Sequence, residues 1–221
     1  MGPGIDAVAL LFDCDGTLVD STEVVERHWE QFALRRGLSL AQILPAAHGR
    51  RSRDMIAGLV PLMEVDDEMA RFEQHEASDT AGIRAIPGAE LVRTLPPPAW
   101  AVVSSGSRAV ASARLVAAGL PAPLVLVSAD DVARGKPQPD AYLLAASALG
   151  VNAAQCIVIE DTPAGVTAGR AAGCTVLALT TTHSAEHLLE ADLVAMDLTS
   201  LIIERVGSGL RVQVHHPGSP R

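Results

Sequence analysis

Two carboxylates spaced two residues apart, Asp13 and Asp15, close the apolar run Leu10-Leu11-Phe12 and are followed by Gly16-Thr17-Leu18. In a strand, residues i and i+2 share a face, so where such a strand opens into a loop both carboxylates emerge at its carboxyl end. In a parallel α/β sheet that edge is where ligands bind. Like charges this close repel unless a cation or a shared proton intervenes. A magnesium ion would supply the cation, and a carboxylate is also a nucleophile toward phosphorus. Asp and Gly favour turns, so the segment could be a turn and no more. The strand-like run from Ala7 to Phe12 that feeds it argues otherwise.

Three later apolar runs also end in polar residues. Trp100-Ala101-Val102-Val103 leads into Ser104-Ser105-Gly106, and Leu124-Val125-Leu126-Val127 is followed by Arg134-Gly135-Lys136-Pro137-Gln138-Pro139-Asp140. Cys156-Ile157-Val158-Ile159 ends in Glu160-Asp161-Thr162-Pro163. The chain therefore supplies, in order, a carboxylate pair, a hydroxyl, a lysine and a second carboxylate pair, each at or just after an expected strand. Taken singly, Ser104 reads as part of a serine-rich loop, Lys136 as a solvated lysine, and Asp161-Thr162 as a helix cap.

Together the four motifs resemble the haloacid dehalogenase superfamily of aspartate-nucleophile phosphotransferases, over nearly the whole chain. That resemblance implies an α/β fold: a Rossmann-like, doubly wound parallel sheet core with an inserted all-helical cap. It assigns Asp13 as nucleophile, which spacing alone does not do, and Asp15 as the acid that protonates the leaving oxygen and then activates water. It implies a Mg2+ site formed by Asp13, the backbone carbonyl of Asp15, Asp161 and Glu160, with Asp161 the firmer of the last two. Ser104, with the amides of Ser105 and Gly106, would bind phosphoryl oxygens near a helix start, and Lys136 would neutralise the transferring charge.

Elements must hold these groups in place. Helix-like segments alternate with the strands, as in a parallel sheet covered on both faces. Ser107–118, with Ser107 as cap, 140–149 and 163–172 read as helices, and 176–179 and 193–196 as further strands. The stretch from about 21 to 84 lacks a convincing strand. Val24, Val25, His28, Trp29 and Phe32 fall at helical spacing, Ser52 caps a helix to Leu62, and 66–82 holds a third. Residues 20–86 are read as the cap, 1–19 with 87–221 as the core, and 213–221 as a flexible tail. The cap carries a cationic cluster, His48-Gly49-Arg50-Arg51-Ser52-Arg53-Asp54. It is similar to the cap segment of glycerol-phosphate and 2-deoxyglucose-phosphate phosphatases, with His48, Arg51 and Asp54 the expected substrate contacts.

Composition sets outer limits. The 221 residues are 48% hydrophobic, 19% charged and 3% aromatic, which suits an aliphatic core. A net charge of −9 argues against broad nucleic-acid binding. Cys14, Cys156 and Cys174 show no metal or redox spacing and read as small buried residues. With no signal peptide and no apolar run of roughly 20 residues, the expectation is a cytoplasmic enzyme without nucleic-acid or membrane partners. Its partner would be a small phosphorylated metabolite, hydrolysed through an aspartyl-phosphate. The rivals are a beta-phosphoglucomutase-like phosphomutase, a dehalogenase and a non-catalytic phospholigand-binding protein. The mutase reading needs a cap histidine where Val25 stands, with His28 about one turn further on. The binding-protein reading sits poorly with Asp13 and Asp15 both present.

Overall fold

The structure, a computed structural model, describes residues 4–215. Its strands are β1 (Ile5–Ala7), β2 (Ala9–Asp13), β3 (Val19–Asp20), β4 (Arg84–Ala85), β5 (Trp100–Val103), β6 (Leu126–Val127), β7 (Cys156–Glu160), β8 (Thr175–Leu179), β9 (Leu193–Ala195), β10 (Leu201–Val206) and β11 (Gly209–Val214). The helices are α1 (Thr22–Arg36), α2 (Leu40–Ala47), α3 (Ser52–Ala57), α4 (Val65–Glu76), α5 (Arg108–Ala117), α6 (Asp140–Ala148) and α7 (Pro163–Ala171). Six strands form one parallel sheet in the order β6-β5-β2-β7-β8-β9.

β2 lies inside that sheet, and every one of its residues is buried. Leu10 and Phe12 enter one apolar layer while Ala9 and Leu11 enter the other. Ile157 and Ile159 alternate with Val158 on β7 in the same way. A strand covered on both faces has no polar side, which is why these runs read as continuously apolar. Each large aliphatic side chain so buried contributes about 1.5–3 kcal/mol.

The two faces are covered differently. α6 and α7 close one layer with Ala141, Tyr142, Ala145 and Val166. α5 closes part of the other with Ala111 and Leu115, and a three-stranded antiparallel sheet, β1-β11-β10, closes more of it through Leu210 and Val212. β11 pairs directly with β1, Ile5 opposite Val212. The expected tail from 213 is therefore too long: Gln213 and Val214 belong to β11, held by ladder bonds to β10, and residues 216–221 lie outside the described residues.

β3 and β4 pair antiparallel, Val19 with Ala85 and Asp20 with Arg84, and carry the chain out to the helical segment and back. Between them α1 to α4 enclose a separate core that includes Trp29, Phe32, Ile43, Ile56 and Phe72. The rings of Trp29 and Phe72 lie 4.8 Å apart. α3 stops at Ala57, short of the expected Leu62, because Gly58 and Pro61 are poor helix continuers. Ser52 is its first helical residue and Arg51 takes the N-cap position, with no side-chain cap bond. α4 ends at Glu76, earlier than expected. Among the described residues, no helix is long and apolar enough to cross a membrane.

Candidate active site

Strand order brings distant motifs together. β5 and β7 flank β2, with Asp13 level with Val103 and Phe12 level with Ile159. Asp13 thus ends its strand beside Ser104, which follows β5, and beside Glu160-Asp161 at the end of β7. Lys136 arrives from the loop between β6 and α6. All five side chains are buried.

Lys136 sits between two carboxylates, its Nζ contacting Asp13 Oδ1 and lying 2.6 Å from Glu160 Oε1. Burial alone would depress the lysine. The Asp13 and Glu160 carboxylates outweigh it and hold the ammonium charged well above the ordinary lysine range. Glu160 has few free lone pairs. Its Oε1 also accepts from the Tyr142 hydroxyl at 3.0 Å, and its Oε2 accepts from the amides of Asp161 and Thr162 and from the Thr162 hydroxyl, each at 2.9 Å. It aims Lys136 and fixes the start of α7. Thr162 is also the N-cap of that helix, accepting from the Gly165 amide at 3.1 Å, so the capping and carboxylate readings of this motif fall on adjacent residues.

Asp161 is held by Thr17, whose hydroxyl donates at 2.9 Å, and by Thr182, whose hydroxyl contacts its other oxygen. Burial, reinforced by the neighbouring Glu160 charge, pushes the Asp161 carboxyl up to about 8. Burial also lifts Asp13 well above the ordinary range, Lys136 pulling against it and the other carboxylates adding to it. Asp13, Glu160 and Asp161 offer oxygens within 4.8 Å of one another. Three buried carboxyl groups crowd one ammonium, and hard oxygen donors so grouped fit a divalent cation such as Mg2+. Gly16 makes the geometry possible: its φ is 84° and a Cβ there would collide with the Asp161 carboxylate.

Asp15 faces the cleft and is half-buried. One oxygen, Oδ1, accepts from the Ser21 hydroxyl at 2.6 Å and lies 2.9 Å from a guanidinium nitrogen of Arg114. Arg114 is buried on α5, and its other terminal nitrogen lies 3.0 Å from Glu76 Oε1 at the end of α4.

The cleft opens between the sheet edge and the helical segment. From the core it is lined by Asp13, Asp15, Ser105 and Gly106, and from the helices by Val25, Trp29, His48, Arg50, Phe72 and Glu76. His48 reaches it as expected, its ring 6.2 Å from that of His183. Arg51 and Asp54 do not line it. Arg51 makes a two-pronged pair with Asp54, 2.8 Å on each prong, and donates to the core carbonyls of Val132 and Ala133 at 3.0 Å. The Ser105 hydroxyl likewise spans to the helical segment, donating to the Gly49 carbonyl at 2.9 Å, while the Gly106 amide donates to Ser104 Oγ at 3.0 Å.

Sequence reasoning assigned no role to Thr17, Thr182, Tyr142, Ser21, Glu76 or Arg114. Arg114 left a trace: it falls four and three residues after Val110 and Ala111, so an arginine occupies the apolar stripe of its helix. The others gave no periodic signal, because long-range packing alone brings them here.

A family model described as haloacid dehalogenase-like hydrolase matches residues 8–173. Hexitol phosphatase A of Escherichia coli K12 is 45% identical over 209 residues, covering 90% of this chain and 95% of that protein. Validoxylamine A 7'-phosphate phosphatase of Streptomyces hygroscopicus subsp. limoneus is 38% identical, covering 89% of this chain and 97% of that protein. Among solved structures, a hydrolase from Pseudomonas syringae superposes with a TM-score of 0.77 at 27% identity, over 86% of this chain and 93% of that one.

Proposed function

Since the chain belongs to the haloacid dehalogenase-like hydrolase family, we propose that it is a magnesium-dependent phosphatase of small phosphorylated sugars or polyols. The observation that carries this reading is the pairing of Asp13 with Lys136 beside Asp161, with Asp15 facing the same cleft. The names of its relatives, a hexitol phosphatase, a 2-deoxyglucose-6-phosphate phosphatase and a glycerol-1-phosphate phosphohydrolase, point to the substrate class.

In the first step an Asp13 carboxylate oxygen attacks phosphorus, and the bond from phosphorus to the substrate oxygen breaks. Asp15 gives its proton to that departing oxygen, releasing the alcohol. In the second step Asp15 takes a proton from water, the water oxygen attacks phosphorus, and the bond from phosphorus to the Asp13 oxygen breaks to free phosphate. Lys136 stays charged throughout and balances negative charge at Asp13 and on the transferring group. Ser104 stands at the same edge to meet a phosphoryl oxygen. Mg2+, held by Asp13, Asp161 and the Asp15 carbonyl, would supply positive charge to the phosphoryl oxygens. Glu160 supports it indirectly by orienting Lys136. His48 serves as the cap contact to substrate, and Arg51 with Asp54 holds the loop that presents it.

The mutase alternative loses support at His28. That residue is buried, packs against Phe72 with ring centroids 5.9 Å apart, and has Nε2 3.4 Å from Asp79 Oδ2. Val25 and Trp29, its neighbours on α1, line the cleft instead.

The test is a phosphate-release screen over hexitol, hexose, pentose and glycerol phosphates with Mg2+, followed by kcat/KM on the best. Preferred turnover of a sugar or polyol phosphate is the expected result. No release from any of them by folded, Mg2+-loaded protein would overturn the reading.

A further inference from the structure

Arg51 stands on the helical segment, yet apart from Asp54 its partners lie on one loop of the core. Its Nη1 donates to the Val132 carbonyl and its Nη2 to the Ala133 carbonyl, each at 3.0 Å. Nε and Nη2 also donate to the two Asp54 oxygens at 2.8 Å, which fixes the plane of the fork. The stem of the side chain then lies on Gly135. A Cβ at that glycine would stand 2.7 Å from both Cγ and Nε of Arg51, far inside contact distance. Gly135 is buried and its φ is not positive. Backbone geometry therefore does not demand glycine there; the room taken by the arginine does. The next residue is Lys136. One side chain from the opposite wall thus braces three of the four residues that precede the site's ammonium. The fourth, Arg134, pairs with Asp140 at the start of α6.

We propose that Arg51 is a positioning residue for phosphoryl transfer: it fixes the backbone from which Lys136 reaches the reacting group, and it touches no substrate. A lysine ammonium is a compact charge on a flexible four-carbon stem, so its place depends on what holds its two ends. In this structure the ammonium end has two carboxylate partners, Asp13 and Glu160. When an Asp13 oxygen bonds phosphorus, that carboxylate gives up its charge, and one of the two anchors weakens as negative charge moves onto the transferring group. From then on Glu160 and the loop backbone keep the ammonium in place. Without Arg51, water would satisfy the Val132 and Ala133 carbonyls but would not fix where they lie. Misplacement of a group by about 1 Å can cost on the order of 10²-fold in rate even when its cause lies far from the chemistry.

The inference rests on Lys136 balancing charge in the proposed transfer step, so Lys136→Met, which removes the charge and keeps a long stem, is the control. The substrate is p-nitrophenyl phosphate, whose easily departing group leaves the most residual rate to measure. Lys136→Met must lower kcat; if it does not, the role of Lys136 fails, and this inference with it. Given that control, folded Arg51→Ala is expected to lower kcat about tenfold with KM little changed, the pattern of an interaction made only in the transition state. Added to Lys136→Met, Arg51→Ala is expected to cost nothing more, because both act through one ammonium. A further loss of the same size in that background, or a raised KM with kcat unchanged, overturns the positioning role. Gly135→Ala tests the contact with Lys136 intact. Its methyl group displaces Arg51, so alone it is expected to lower kcat by a similar factor, and added to Arg51→Ala to lower it no further. Equal losses in the two backgrounds overturn the link through Gly135.

Discussion

The sheet edge and the helical face opposite it solve different problems with the same residue types. On the edge, charged groups are buried and each has several fixed partners: Lys136 bridges Asp13 and Glu160, and Glu160 takes five donors. On the helical segment several charges pair with one another near the surface, Arg27 with Asp79, Arg36 with Glu64, and Arg53 with Asp66. Exposed pairs contribute little, about 0–1 kcal/mol, so they can be exchanged without unfolding the protein. The edge therefore preserves chemistry, and the helices leave the cleft wall free to vary.

The sharpest break of that contrast is Asp13→Asn. It removes the proposed nucleophile and is expected to lower kcat by on the order of 10³-fold or more on every substrate, with an unchanged melting profile. Similar residual rates on a sugar phosphate and on p-nitrophenyl phosphate would agree; a loss confined to one substrate would contradict a shared chemical step.

Removing the metal comes next. Chelation with EDTA is expected to abolish turnover and Mg2+ to restore it. At the proposed site Mg2+ would bind the carboxylate form of Asp161, so half-saturating Mg2+ should rise as pH falls from about 8 toward 6, by up to about tenfold per unit for one proton released. The linkage has a second face. Folded Asp161 keeps its proton to about pH 8 against an ordinary value of 3.8. The folded state thus holds the extra proton between these limits, and this group makes metal-free protein less stable as pH rises through that window. Melting temperatures in EDTA at pH 5 and pH 8 test this, and Asp161→Asn should shrink the difference.

A smaller effect separates grip from clasp on the cap. His48→Ala is expected to lower kcat/KM about tenfold on a preferred sugar phosphate and less on the aryl phosphate, because it faces the cleft. Arg51→Ala should instead depress both in similar proportion, since its guanidinium is committed to Asp54 and to core carbonyls. Measured ratios that reverse this order would return Arg51 to the substrate. The smallest change is Thr182→Val, which removes one hydroxyl from Asp161 and should raise the Mg2+ requirement by about tenfold, the low end for outer ligands.

What could be read from the residues follows the same division. The strands that lead into Asp13, Ser104 and Glu160 announce themselves because burial on both faces makes them uninterrupted apolar runs, with polar residues only at or just past their ends. Ser107 and Thr162 announce helix starts for the same local reason. The cap resists such reading: four helices present many polar positions, and which of them meet the cleft depends on how α1 and α4 pack around Trp29 and Phe72. Hence the sequence points to His48, which lines the cleft, and not to Glu76, and it puts Arg51 on a substrate although its guanidinium is engaged by Asp54 and core carbonyls. The β10–β11 hairpin escaped because its period-two pattern is half exposed, with only Leu210 and Val212 fully committed to the core.

That hairpin also has a temporal meaning. The strand that ends in Asp13 is made near the beginning of the chain, and the last of the residues that grip Asp161 is Thr182. Yet the layer holding Leu10 and Phe12 is sealed by β11, which pairs with β1 and emerges from the ribosome some two hundred residues later. A nascent chain paused after residue 190 would own every reactive group and still show an apolar face, an invitation to chaperones. Stalled chains released at that point should bind a hydrophobic dye strongly, and chains extended through Val214 should not.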